Sequence, residues 1–230
     1  TVDASFSQIT HAVTPTAGAG GSITPGTAQE IAQGSTTTFT VRANDGYEVA
    51  SVGGTCGGAL SGNTYTTNAI TAACTVDASF SQITHAVTPT AGEGGSISPS
   101  TAQMIAEGST TTFTLTTESG YAIMAVGGTC GGSLSGNTYT TNAITAACTV
   151  DASFTQNTFG VTPNAGVGGT ISPSTEQAIA EGSTTTFTVT PDEGYRIAAV
   201  GGTCGGSLLA NVFRANSGGT YTTNAVTAAC

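Results

Sequence analysis

The most reactive side chains in this 230-residue chain belong to six cysteines, which come in three pairs. Cys56 and Cys74 lie 18 residues apart, Cys130 and Cys148 likewise 18, and Cys204 and Cys230 lie 26 apart. Six thiols allow 15 pairings. Each pair, however, falls at the same place in one of three sequence repeats, which favours one disulfide per repeat. Closing a loop of that size contributes on the order of 3 kcal/mol in the chain-entropy account. The competing chemistry is metal binding, but widely spaced cysteines without CxxC and without a nearby histidine make a poor zinc set. A bridge in every repeat implies an oxidising compartment, hence an extracellular or cell-surface location.

The other candidates for chemistry are weaker. His11 and His85 share one repeat position, and the third copy has Phe159 there. A position that accepts Phe reads as aromatic packing, since a general base needs a partner within hydrogen-bond reach. Gly18-Ala19-Gly20-Gly21 has the look of a phosphate loop, yet no helix is predicted after it to hold an anion, so it reads as a turn or bulge. Gly53-Gly54-Thr55-Cys56-Gly57-Gly58 fits close backbone approach beside a disulfide, because nucleophilic use of the thiol would require an adjacent base. Asp3, Asp77 and Asp151 recur at one position, while Asp45, Glu118, Asp192 and Glu193 cluster near a turn. Calcium takes six to eight oxygens from a compact loop. No DxDxDG run exists and the turn acids vary between copies, so a solvated acidic face is expected. Thr36, Thr38 and Thr40, with their counterparts, form hydroxyl stripes of the kind an exposed strand face carries; O-linked glycans are the alternative. These residues supply no acid–base constellation, cofactor site or metal site, so the chain reads as non-enzymatic.

The elements that position these residues are three copies of one unit. Residues 1–74, 75–148 and 149–230 each open with TVDASF and close with TTNA(I/V)TAAC. The first two copies differ at 15 positions, and the third carries an insertion between Leu208 and Thr220. A unit this small buries a limited share of its surface and needs a staple, which the cysteines provide. The charge balance is extreme: 13 acidic residues against 3 cationic ones, net −10, with no lysine. Such a chain does not neutralise a phosphate backbone, so nucleic acid is excluded as a partner. No apolar stretch reaches membrane-spanning length, so no membrane insertion is expected. The absence of Met at position 1 and of a signal-peptide pattern leads us to expect a processed or excerpted chain.

Periodicity predicts strands throughout. Val2, Ala4 and Phe6 alternate, and His11–Pro15 forms a second short strand expected to end at its proline. Ser22–Pro25 is a third. In Ser35–Val41, Thr37, Phe39 and Val41 share a face, and Asn44-Asp45-Gly46 turns the chain into Tyr47–Val52. Thr27–Gln33 is the one stretch where a helical turn is conceivable. Strands at this spacing predict an all-β fold: three tandem small domains, each a sandwich or β-grasp-like sheet with one disulfide, arranged as beads on a string.

The segments GGSISPS (residues 94–100), EGSTTTFTVTPDEGYRIAAV (181–200) and CTVDASF (74–80) resemble the bacterial surface-protein B-repeat family, the Listeria internalin-type B repeats and their divergent relatives. The family pattern is GGxIxP, then GxxxTFTxxPxxGYxI, then a closing strand with Ala-x-Phe. The resemblance covers nearly all of each copy. It departs where such repeats often carry Trp, since Ala50-Ser51-Val52-Gly53 and its equivalents stand there. It implies a tandem segment of a secreted or surface protein, serving as stalk or adhesive region. It also implies a phase in which Ala-x-Phe closes a unit, giving units at 9–82, 83–156 and 157–230. Residues 1–8 would then complete a neighbouring unit, and the unit ending at Cys230 would lack its closing strand.

An open edge and a spare matching strand predict head-to-tail joining, with Val2, Asp3, Ala4, Ser5 and Phe6 as the assembly strand and a second copy of the chain as partner. In the insertion, Leu209, Val212, Phe213 and Arg214 form a candidate interface loop, since aromatic and Arg residues are favoured at interfaces. The function expected is a structural subunit of an extracellular filament, stalk or adhesin fibre. The alternative is an adhesive or carbohydrate-binding module, in which Tyr47, Tyr65, Tyr121, Tyr139, Tyr195 and Tyr221 would stack host or matrix glycans.

Overall fold

The computed structural model describes residues 1–210 and 216–230; Val212, Phe213 and Arg214 of the candidate interface loop lie outside them. Among the described residues there are 22 strands and no helix. The first unit holds β1 (Thr10–Ala17), β2 (Gly21–Thr24), β3 (Gln29–Ala32), β4 (Thr38–Ala43), β5 (Tyr47–Gly53), β6 (Gly58–Ser61), β7 (Thr64–Thr67) and β8 (Cys74–Gln82). They form two four-stranded sheets, ordered β3-β1-β8-β5 and β2-β4-β7-β6. All pairs are antiparallel except β1 with β8. Val13, Val76 and Ala78 from the first sheet pack with Ile23, Phe39, Val41 and Tyr65 from the second in one core, so the unit is a sandwich rather than a helix-crossed sheet.

The second unit repeats the pattern with β9 (Thr84–Ala91), β10 (Gly95–Ser98), β11 (Gln103–Ala106), β12 (Thr112–Thr117), β13 (Tyr121–Gly127), β14 (Gly132–Ser135), β15 (Thr138–Thr141) and β16 (Cys148–Gln156). The third holds β17 (Thr158–Val161), β18 (Gly169–Ser172), β19 (Gln177–Ala180), β20 (Thr186–Pro191), β21 (Gly206–Ala210) and β22 (Gly219–Thr223). Its second sheet is complete, ordered β18-β20-β22-β21, but its first is reduced to the pair β17-β19.

Local alternation sets the buried face. In β4 the burial follows the period of two, with Phe39 and Val41 inside and Thr38 and Thr40 exposed. β5 breaks that period. A bulge between Val49 and Ser51 re-phases the strand, so Val49 and Val52 both pack on the core although they are three residues apart.

Four strand expectations need correction. Val2, Asp3, Ala4, Ser5 and Phe6 form no strand, because residues 1–9 have no pairing partner, and Val2 and Phe6 are 100% and 96% exposed. Pro15 does not end β1, which runs on to Ala17. Gly18 N donates to Ala78 O, which turns the even-numbered residues of β1 toward β8 and Pro15 toward the side that β3 has already left; the missing N–H therefore costs no ladder bond. Residues 29–32 of the conceivable helical turn are β3, paired with β1. Leu209 lies on strand β21, paired with Thr220 of β22, rather than on a loop.

The units follow one another without a linker. Only Ile83 separates β8 from β9, and its N–H donates to Gly46 O of the first unit while its carbonyl accepts from Glu107 N of the second. The next joint repeats this: Asn157 N donates to Gly120 O, Glu181 N donates to Asn157 O, and Asn157 Nδ2 donates to Glu181 Oε2 at 2.8 Å.

Candidate functional site

All six cysteines are bridged within their own units, Cys56–Cys74, Cys130–Cys148 and Cys204–Cys230, with Cα atoms 5.0, 5.0 and 5.2 Å apart. The bridge ties the loop after β5 to the start of the closing strand. Gly54 passes so close to Thr75 O, at φ +119°, that any side chain there would collide with backbone. The glycine-rich run thus serves packing beside the disulfide.

The other chemistry-bearing residues are dispersed. His85 Nε2 lies 3.6 Å from Glu107 Oε2. Asp151 accepts a 2.6 Å hydrogen bond from Thr90 Oγ1 and one of 3.1 Å from Thr149 Oγ1, and Asp77 accepts from Thr16 and Thr75 in the same way. These recurrent aspartates tie the closing strand to its neighbour. Among the described residues no three His, Cys, Asp or Glu side chains stand close enough to share a metal.

The tyrosines divide by role. Tyr65, Tyr139 and Tyr221 are core residues, 1%, 3% and 6% exposed. Tyr47, Tyr121 and Tyr195 each lie over a glycine, Gly20, Gly94 and Gly168. Burial holds the Tyr65 and Tyr139 hydroxyls above the ordinary value of 10.0, because an ionised phenolate would lose its hydration. In the unfolded chain they titrate at that ordinary value. Their contribution to stability is therefore intact below pH 10 and is lost as pH rises from there through the raised folded value. Alkaline unfolding followed by phenolate absorbance should show the loss, and Tyr65→Phe and Tyr139→Phe together should shift it to higher pH.

The one sizeable opening lies in the third unit. In the first unit, β8 sits between β1 and β5, with Val76 at 0% and Ala78 at 5% exposure, and the Phe80 ring fills the space that a Cβ on Gly21 would claim. Phe154 does the same over Gly95 in the second. Among the described residues, no strand stands at this place in the third unit. Its absence explains three differences. β17 stops at Val161 where β1 continues to Ala17. Tyr195–Val200 carries no strand, although YRIAAV matches the YEVASV of β5 and YAIMAV of β13. Val189 is only half-buried, whereas Val41 and Leu115 in the same position are 0% and 1% exposed. What remains is a groove of about 550 Å³, floored by Ile171, Phe187 and Val189 and rimmed by Val161, Ile197 and Val200.

Sequence reasoning located the open edge but did not name its walls. Copying the register of the first unit onto the third would have found them, because the walls are the residues that β8 touches there.

Comparison with known proteins adds one finding. The model of the divergent InlB B-repeat domain matches residues 11–84, 85–158 and 159–229. No curated protein and no solved structure matches the chain.

Proposed function

The chain belongs to the divergent InlB B-repeat family, and from that premise we propose that it is a structural segment of an extracellular stalk, filament or adhesin fibre, with no catalytic role. The observation that carries this reading is the construction of the joints. Successive sandwiches are separated by one residue, and backbone hydrogen bonds on both sides of Ile83 and of Asn157 hold each unit against the next. Such joints suit transmission of tension and orientation better than free rotation of independent binding domains. The disulfides support placement outside the cell, where they persist. The net charge of −10 opposes sideways clumping of parallel chains. A glycan-binding role has less support, because three of the six tyrosines are core residues.

Pulling single molecules by their ends tests the reading. Each bridge removes its loop from the length released on unfolding. Reduction should therefore lengthen the unfolding step of the first and second units by roughly 55–60 Å, from 18 residues and a 5.0 Å Cα–Cα gap, and that of the third by roughly 80–90 Å, from 26 residues and 5.2 Å. Steps of unchanged length after reduction, or a chain that extends smoothly without discrete steps, would refute a latched stalk.

A further inference from the structure

We propose that the groove of the third unit is an acceptor for residues Thr1–Gln8 of a second copy of the chain, which enter it as the missing strand. The inference rests on the reading of the chain as a segment of an end-to-end assembly, and it names the contact that would join one copy to the next. Four observations on this molecule carry it.

The first is identity. Thr1–Gln8 reads TVDASFSQ, residue for residue the same as Thr75–Gln82, which is the strand that fills the corresponding groove in the first unit. The second is availability. Residues 1–9 pair with nothing, and the two side chains that would be buried, Val2 and Phe6, are 100% and 96% exposed.

The third is that the ladder has already been started. Cys230 N donates to Gly160 O at 3.0 Å, and Thr162 N donates to Cys230 O at 2.8 Å. Cys230 therefore stands beside Val161 as Cys74 stands beside Val13 in the first unit. Continuing that parallel register places Thr1 beside Thr162, Val2 beside Pro163, Asp3 beside Asn164 and Ala4 beside Ala165. On the other side, the antiparallel register of β5 with β8 places Phe6 opposite Ile197 and Ala4 opposite Val200.

The fourth is side-chain fit. The third unit keeps glycine at 169, the position over which Phe80 and Phe154 lie in the first two units, so Phe6 has a slot to enter. Asn164 occupies the place of Thr16 and Thr90, which donate to Asp77 and Asp151; its side-chain amide can donate to Asp3. Val2 and Ala4 would cover Val189 and Ile171, restoring the burial that the other two units have. Backbone ladder bonds supply the attachment, and the Phe6 slot sets the register. Because donor and acceptor lie on different surfaces, the contact is heterologous and propagates into a linear chain of copies.

The experiment uses the whole chain, its double variant Val2→Asp/Phe6→Asp, and the free peptide TVDASFSQ. Residues 1–9 pair with nothing, so these substitutions leave the three sandwiches intact. The wild-type chain should sediment as oligomers that grow with concentration, while amides of residues 195–200 gain exchange protection in step. The double variant should associate at least about a hundredfold more weakly, since each substitution would place a carboxylate where an apolar group is buried. The peptide should shorten wild-type oligomers and protect residues 195–200 in the variant. Three results would overturn the proposal: a monomeric wild type whose residues 195–200 stay unprotected even with peptide; oligomers equally strong in the double variant; or a monomeric wild type with residues 195–200 protected and the variant unprotected, which would mean that the strand folds back into its own chain. A monomeric chain that still unfolds under load in latched steps would sink strand donation and leave the stalk reading standing.

Discussion

Phe113→Ala should unfold the middle unit, or bring it close to unfolding, while the first unit keeps its fold. Phe113 is 0% exposed and lies opposite Tyr139 across β12 and β15, in a core that also holds Leu115, Val87 and Val150. Removing a buried ring costs about 3–5 kcal/mol, because the lost transfer free energy adds to the cavity left in a closely packed interior. A unit of this size holds roughly 4–11 kcal/mol in all, so the loss takes a large share of it. The bridge Cys130–Cys148 limits how far the unfolded unit expands, and it does not fill the cavity. Denaturant titration with residue-resolved amide exchange should show residues 84–156 losing protection first. Phe113→Leu should cost less than half as much, since it returns most of the volume. A cost under about 1 kcal/mol for the alanine variant would show that the two sheets close over the gap, and that this sandwich is far more compliant than its packing implies.

The second large effect concerns the third unit in dilute solution. Amides of Ile197, Ala199 and Val200 should exchange about a thousandfold faster, or more, than those of Val49, Ser51 and Val52 or of Ile123, Ala125 and Val126. The three segments are close in sequence, so local propensity predicts equal protection. The difference lies in the neighbour: β5 pairs with β8 and β13 pairs with β16, whereas residues 195–200 face the open groove. The third unit should also be the first to melt. Its buried apolar residues are Val161, Phe187, Ile197, Tyr221 and Val226, while the first unit buries Val13, Ile23, Phe39, Val41, Tyr65, Ile70, Val76 and Ala78. Equal protection of the three segments at a concentration where the chain is monomeric would mean that another strand already fills the groove.

Much of this protein was legible in its residues. The threefold repeat, the bridge in each copy and the alternation that puts Phe39 and Val41 inside are local or periodic features, so no partner need be known to read them. The family could be identified from runs such as GGSISPS and CTVDASF for the same reason. Burial of Tyr65 was less accessible. It sits in a Thr-rich run whose sequence suits an exposed face equally well, and only the opposing sheet decides which face is covered.

What the chain settles by itself is therefore composition, covalent latches and the inward face of most strands, since each depends on residues near one another in sequence. Pairing is different, because a strand is completed by a neighbour tens of residues away. Tertiary structure alone decided that Pro15 lies within β1, that a bulge re-phases β5, and that Tyr195–Val200 remains irregular while its two counterparts are strands. In each case the backbone follows the hydrogen-bonding partner that reaches it, and a sequence window contains no information about which partner does.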